Sequence, residues 1–155
     1  MSEGASIAFR PAEASDLPAI VALLARDPLG ASREKPGLPL DRRYDDAFAA
    51  IQRDHNQLLA VVTDGDQVVG CLQISFIPGL SRLGLWRGQI ESVRIAASHR
   101  GGGLGRRMIE WAVDQCRARG CGLVQLTSDK TRADALRFYA QLGFKASHEG
   151  LKLEL

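Results

Sequence analysis

The chain reads as an α/β protein in which a mixed, mostly antiparallel central sheet carries helices on both faces. Three observations lead there. Two strand-like runs flank Asp64-Gly65, amphipathic helical patterns precede that hairpin, and a strand, glycine-rich loop, helix and strand succeed one another from Gln89 to Thr127. Antiparallel strands first and a βαβ unit afterwards give a mixed sheet. With 155 residues, 45% hydrophobic and 25% charged, the chain suits one domain over 1–155 with a sizeable core.

The elements come in order along the chain. Ile7 to Arg10 is a short strand, and Ser15 or Asp16 can cap a helix carrying Leu17, Ile20, Val21 and Leu24, with Pro18 in its first turn. Asp27 to Leu40, with Pro28, Gly30, Pro36, Gly37 and Pro39, is a stiffened loop rather than a domain boundary. Tyr44, Phe48 and Ile51 recur at helical spacing and predict a helix ending before Asn56. Leu58 to Val62 and Gln67 to Phe76 are strands, because Asp64 and Gly65 both tolerate the positive φ of a tight hairpin. After a Gly/Arg loop, Pro78 to Gly88, come a strand at Gln89 to Ala96 and a helix with Leu104, Met108, Trp111, Ala112 and Cys116 on one face. Leu123 to Thr127 is a buried strand, and Thr131 with Asp134 forms a candidate capping box for a helix through Leu142, ended by Gly143. Lys145 to His148 and Leu151 to Leu155 then close the sheet as two short strands.

Chemistry concentrates after Gln89. Alternation places Glu91, Val93 and Ile95 on one face of the strand, with Ile90, Ser92 and Arg94 on the other. A lone carboxylate among branched apolar neighbours would have a raised pKa and serve as a proton acceptor; the other reading is a strand-end acid paired with Arg94 or Arg87. The loop Arg100-Gly101-Gly102-Gly103-Leu104-Gly105-Arg106-Arg107 opens a helix whose first N–H groups have no partner within the helix. Two cations in that first turn oppose the helix dipole unless an anion offsets them, which favours a bound phosphate over a plain turn. A dinucleotide fingerprint lacks its third glycine, since Met108 falls there, and no Gly-Lys-Ser/Thr succeeds the run for a P-loop. Tyr139 is either a core-edge residue or a phenol that gives a proton to a thiolate leaving group.

Bulk properties exclude several classes. A net charge of +2, spread along the chain, does not argue for nucleic acid as a partner. Cys71, Cys116 and Cys121 are an odd count without CxxC spacing, giving neither a disulfide framework nor a metal site. His55, His99 and His148 lack sequence-adjacent partners and read as surface or structural residues. No apolar run approaches the roughly 20 residues that cross a bilayer, and no signal-like start is present, so the expectation is a cytoplasmic protein that avoids membranes.

Taken together, Arg100-x-x-Gly103-x-Gly105, Glu91 nine residues earlier, and Ala135-x-x-Phe138-Tyr139 with Leu142-Gly143-Phe144 resemble the GCN5-related N-acetyltransferase family over about Ile7 to Leu153. The resemblance implies a sheet that splays after the Glu91 strand, with the pantetheine arm of acetyl-CoA bonded to backbone groups of Val93, Arg94 and Ile95. It implies that the pyrophosphate meets the N–H groups of Gly101, Gly102, Gly103, Leu104 and Gly105, with Arg100 or Arg106 offsetting phosphate charge. The pattern departs at Arg132, where many members carry Asn; an arginine there can still reach a CoA phosphate. The implied reaction is direct acetyl transfer to a primary amine of a small molecule, with Glu91 as base, Tyr139 as acid and no metal. A protein N-terminal or lysine acetyltransferase and a non-catalytic acyl-CoA sensor are the competing functions, and a homodimer is compatible with all three. The acceptor walls are expected from the loops Asp27 to Leu40 and Pro78 to Gly88.

Overall fold

The computed structural model describes residues 6–155. Its sheet has five strands in the order β1-β2-β3-β4-β5: β1 Ile7–Pro11, β2 Gln57–Asp64, β3 Gln67–Ile77, β4 Trp86–Ile95 and β5 Cys121–Leu126. All neighbours are antiparallel except β4 and β5, which are parallel and joined through a crossover helix. The helices are α1 Leu17–Ala25, α2 Arg42–Arg53, the one-turn α3 Ser81–Gly84, α4 Leu104–Ala118 and α5 Ala133–Gln141. The mixed sheet with helices on both faces is the predicted architecture.

Each element has a local cause. Asp64 pairs with Gln67, so Gly65 (φ 60°) and Asp66 alone make the hairpin turn. The amphipathic α2 is capped by Asp41, whose carboxylate accepts from the Arg43 N–H. α4 buries Leu104, Met108, Ile109, Ala112 and Cys116 against one sheet face, and Trp111 stacks on Phe9 with ring centroids 5.9 Å apart. On the opposite face, Leu17, Ile20 and Val21 of α1 and Phe48 of α2 cover β2 and β3. Between the layers, Val61, Val62, Leu72, Ile74 and Ile90 are almost wholly buried.

Several expectations are corrected. Residues 145–148 and 151–155 form no strand; from Gly143 onward the chain crosses the surface without pairing. The Thr131/Asp134 capping box does not form, because the Thr131 hydroxyl donates to Asp129 (2.6 Å) and α5 starts one residue later with Arg132 as N-cap. Asp16 does not cap α1 through its side chain; its carboxylate binds Arg10 (2.7 Å) and the Glu13 N–H (2.7 Å). Cys121 begins β5 rather than lying in a turn, while Cys71 and Cys116 are core residues as expected. His99 gains a tertiary partner that the sequence order hides, the Asp64 carboxylate at 2.8 Å.

Gly88 shows how tightly α4 sits on the sheet. A Cβ at that position would lie 2.2 Å from Cys116 Sγ and 3.1 Å from Cys116 Cβ, so glycine is required for this approach. Gly88→Ala should therefore lower stability by about 1–3 kcal/mol through overpacking. Urea unfolding measures it, and adding Cys116→Ala should recover part of the loss; equal stability of Gly88→Ala and the parent would show that the helix can move away freely.

Candidate active site

The site begins where β4 leaves its neighbours. Pairing with β5 ends at Ile90–Leu126, yet β4 continues to Ile95, so its last five residues have no partner on that side. On the other side the ladder slips: Gln73 pairs with Glu91, but Cys71, two residues away, pairs with Arg94, three residues away. The extra residue is a β-bulge. Ser92 takes φ 57°, a left-handed conformation rare for a residue with a side chain, and its carbonyl accepts from Cys71 Sγ at 3.6 Å.

The bulge overturns the simple alternation expected for this strand. Residues directly opposite in an antiparallel pair share a face. Glu91 therefore lies with Gln73 and Arg94 with Cys71, and Gln73, Cys71 and Ser92 all line one cleft between α1, α2 and the sheet. Glu91 and Arg94 share that cleft face, rather than standing on opposite faces. Glu91 is solvent-exposed, so it is not the carboxylate enclosed by Val93 and Ile95 that alternation suggested. The cleft holds about 110 Å3 and is walled mainly by Leu17, Ile20, Leu24, Tyr44, Phe48 and Leu59. Its second wall is thus α2. The loop from Pro78 to Gly88 lies at the other end of β4, beside the start of β5, and does not reach the cleft.

Downstream of the bulge, a 3-10 turn over Ala97–His99 leads to the glycine loop, where Arg100 Nε donates to the Ile95 carbonyl at 3.1 Å. Gly101 and Gly103 have φ of 82° and 83°, and Gly103 is the N-cap of α4. Among the described residues the N–H groups of Gly101 to Arg106 donate to no acceptor. Gly105 faces Phe138 of α5, which a Cβ there would meet at 3.5 Å. A loop of unpartnered N–H groups at the start of a fifteen-residue helix fits a phosphate. The free edge of β4 next to it fits an extended amide-bearing arm. The two cations are partly accounted for within the chain: Arg106 binds Glu110 one turn on (2.9 Å), and the Arg107 guanidinium lies 5.7 Å from the Phe9 ring centre.

Tyr139, on α5, packs edge-on against Phe138 and Phe144 with ring centroids 5.1 and 5.7 Å away. Burial pushes its phenol above the usual tyrosine value, with Arg94 and Arg132 pulling the other way. The proton is therefore held throughout the neutral range. Among the described residues its hydroxyl makes no hydrogen bond, which leaves it available to a ligand.

The residue that sequence reasoning missed is Asp27. It is 7% exposed, accepts from the N–H groups of Leu29 (2.7 Å) and Gly30 (3.2 Å), and forms ion pairs with Arg94 (3.0 Å) and Arg132. Burial alone would raise its pKa, but the Arg132 hydrogen bond, the two N–H groups and the Arg94 charge outweigh that and bring it to about 2. Three segments meet at this carboxylate: the end of α1, the bulged strand and the start of α5. Arg132, expected to reach a CoA phosphate, instead closes on Asp27. Gly30 permits the turn, since a Cβ there would sit 1.8 Å from the Leu24 carbonyl oxygen. An acid two residues ahead of an N–H that it binds is a turn signature, and Asp27-Pro28-Leu29-Gly30 carries it.

Comparison with known proteins now identifies the family. Residues 19–144 match the profile of the acetyltransferase (GNAT) family, and the chain belongs to it. It is an acyltransferase by that membership. The chain is 30% identical over 105 residues to an aminoalkylphosphonate N-acetyltransferase of Salmonella typhimurium, covering 68% of each protein. It is 35% identical over 89 residues to a glucosamine 6-phosphate N-acetyltransferase of Trypanosoma brucei brucei, covering 57% of this chain and 58% of that one. Among solved structures, one from Bacillus halodurans C-125 described as a transcriptional regulator superposes with a TM-score of 0.94 at 48% identity, covering 96% of this chain and 99% of that one.

The Asp27 cluster generates a pH prediction. A carboxylate whose pKa falls from 3.8 in the unfolded chain to about 2 in the fold contributes stability that is fully present above pH ~4 and disappears as pH falls through about 2. Asp27→Asn should be less stable at pH 7 and should lose less further stability between pH 4 and 2 than the parent. Thermal melts across that range test it; parallel pH curves for the two proteins would mean that the ion pairs contribute nothing to stability.

Proposed function

We propose that this chain transfers the acetyl group of acetyl-CoA directly to the primary amine of a small molecule. The observation that carries the reading is the continuity of three features on one line: the unpartnered N–H groups of Gly101 to Arg106, the free edge of β4 at Val93 to Ile95, and the cleft beyond the bulge. Acetyl-CoA, the co-substrate used across the family, would lie along that line, with Arg100 beside its phosphates. The cleft volume of about 110 Å3 is well below the ~300–1,000 Å3 of ordinary ligand pockets, so the amine-bearing end of an acceptor is what fits. The named relatives act on aminoalkylphosphonates and glucosamine 6-phosphate, both small amines.

The chemistry divides among few groups. An alkylammonium with pKa near 10.4 is only about 0.04% neutral at pH 7, so its proton must be removed. Glu91, exposed at the mouth of the cleft on the same face as Gln73, takes that proton through water. The amine nitrogen then bonds to the thioester carbon, a backbone N–H from Val93 to Ile95 stabilises the oxyanion, and the C–S bond breaks as Tyr139 protonates the departing sulfur while the nitrogen releases its second proton, which returns through water to the phenolate. No covalent acyl-enzyme is required: Cys71 and Cys116 are buried, and burial pushes their thiols up to about 12 and about 11.

A second reading, a non-catalytic acyl-CoA-binding regulator, is favoured by one observation, the description given to the 48% identical Bacillus halodurans structure. Turnover of acetyl-CoA with a panel of small amines separates the two, since the sensor would bind CoA and release none from acetyl-CoA. Gly103→Asp should weaken acetyl-CoA binding in calorimetry by tenfold or more, because it sets a negative side chain where phosphate is held. Unchanged affinity in a folded variant would move the cofactor elsewhere.

Tyr139→Phe should retain CoA binding while kcat falls by roughly 10²-fold, a usual size for a general acid. In the same assay Glu91→Gln should slow strongly basic amines more than weakly basic ones, whose neutral fraction is larger. Parent-like kcat for Tyr139→Phe, or equal slowing of both amine classes by Glu91→Gln, removes the respective role.

A further inference from the structure

The cleft takes the amine end of an acceptor and leaves no room for the rest, so the remainder must lie against whatever adjoins Glu91. Strand register shows what that is. Residues directly opposite in a ladder share a face, and Gln57 stands opposite Ser75, Ser75 opposite Gln89, and Gln89 opposite Gln125. One polar tier therefore crosses four strands. It lies on the face away from α4, because Gly88, the neighbour of Gln89 in β4, faces Cys116 of that helix. Glu91 and Gln73 form the adjoining tier, two residues further along β4, at about 7 Å.

These side chains satisfy one another only in part. Ser75 Oγ (3.0 Å) and Gln73 Nε2 (2.9 Å) both donate to Gln57 Oε1, and Gln125 Nε2 donates to Gln89 Oε1 at 3.0 Å. Among the described residues, the amide nitrogens of Gln57 and Gln89 donate to no side chain, and the side-chain carbonyls of Gln73 and Gln125 accept from none. From β2 to β5 the free groups thus run donor, acceptor, donor, acceptor, all on half-exposed residues. A phosphate or carboxylate only accepts, and would have no proton to give to either carbonyl; an apolar body would leave all four groups unpaired. A hydroxyl both donates and accepts.

We propose that this tier holds the body of the acceptor, and that the acceptor is a polyhydroxylated ring amine, of the amino-sugar class, laid on the sheet with its amine at Glu91 and its hydroxyls on Gln89 and the flanking Ser75 and Gln125. One sugar ring with its substituents spans a step between tiers. The next charge in that direction is Arg87, one tier further on, so the surface under the ring is neutral. A site built to pair substrate hydroxyls rejects the analogue that lacks them, since its own polar groups are then left unpaired. The proposal rests on the acetyl-transfer reading for the place of the amine, and adds to it the chemistry of the acceptor's body.

Glucosamine and cyclohexylamine carry their amines on six-membered rings that differ in hydroxyls. Gln89→Leu and, separately, Gln125→Leu should each raise KM for glucosamine at least tenfold and lower the kcat/KM preference for glucosamine over cyclohexylamine by the same factor. Each amine is compared with itself across the variants, so the difference in basicity cancels. Ser75→Ala, a smaller change in the same tier, should move that ratio in the same direction and serves if a leucine variant fails to fold. Calorimetric titration of glucosamine into the protein reads the subsite without turnover, and its Kd should rise at least tenfold in the leucine variants. Equal effects on the two amines overturn the proposal, as does a parent that binds cyclohexylamine as tightly as glucosamine; acetylation of either amine in that case leaves the transfer reading standing. Glucosamine binding that the variants lose, in a protein that acetylates no amine, supports the subsite and overturns the transfer reading instead. A tripeptide acetylated at its N-terminus with a lower KM than glucosamine also overturns the proposal, because backbone amides would then be what the tier reads.

Discussion

The structure depends on one irregular step in the ladder between β3 and β4. Without the extra residue at Ser92, the strand would alternate through Ile95, and Arg94 would point toward α4 instead of toward Asp27. The left-handed φ of Ser92 costs on the order of 1–2 kcal/mol, and β3 holds it there through the ladder and through Cys71 Sγ, which donates to the Ser92 carbonyl. The step produces a strand whose two halves do different work. The first half, Trp86 to Ile90, is ordinary sheet paired on both sides; the second half, Glu91 to Ile95, keeps β3 and gives up β5.

Asp27 is the counterpart of the bulge. An open wedge between two parallel strands would be an unstable place to build a site unless its rim were tied, and this buried carboxylate ties it from three directions. Two guanidinium groups and two backbone N–H groups give it an environment that prefers the charged form despite burial. Removing one member of such a cluster leaves the others buried and uncompensated, so the cluster couples the α1–α2 loop, the bulged strand and the helix that bears Tyr139. The residual positive charge of two arginines against one aspartate sits beside Tyr139, where the proposed transfer would develop charge on a departing thiolate.

The two ends of the sheet differ in completeness. β2 and β3 put Ala60, Val61, Val62, Val69, Cys71, Leu72, Ile74 and Phe76 into the core, whereas β5 and α5 contribute no fully buried residue. The cleft belongs to the finished half and the glycine loop to the seam between them.

The sequence by itself determined whatever depends on local spacing. The helical stripes of α1, α2 and α4, the tight hairpin and the glycine loop ahead of Leu104 each arise from residues within a few positions of one another, and each stands where its spacing places it except the hairpin turn, which falls one residue later, on Gly65 and Asp66 instead of Asp64 and Gly65. So does the order of strand, loop and helix that identifies the family. Tertiary structure alone decided the rest. Alternation cannot reveal a bulge whose cause is the register of the facing strand, and so the faces of Glu91 and Arg94 were not legible. Nor could the chain order show that Asp27 and Arg132, separated by 105 positions, would meet, or that His99 would find Asp64.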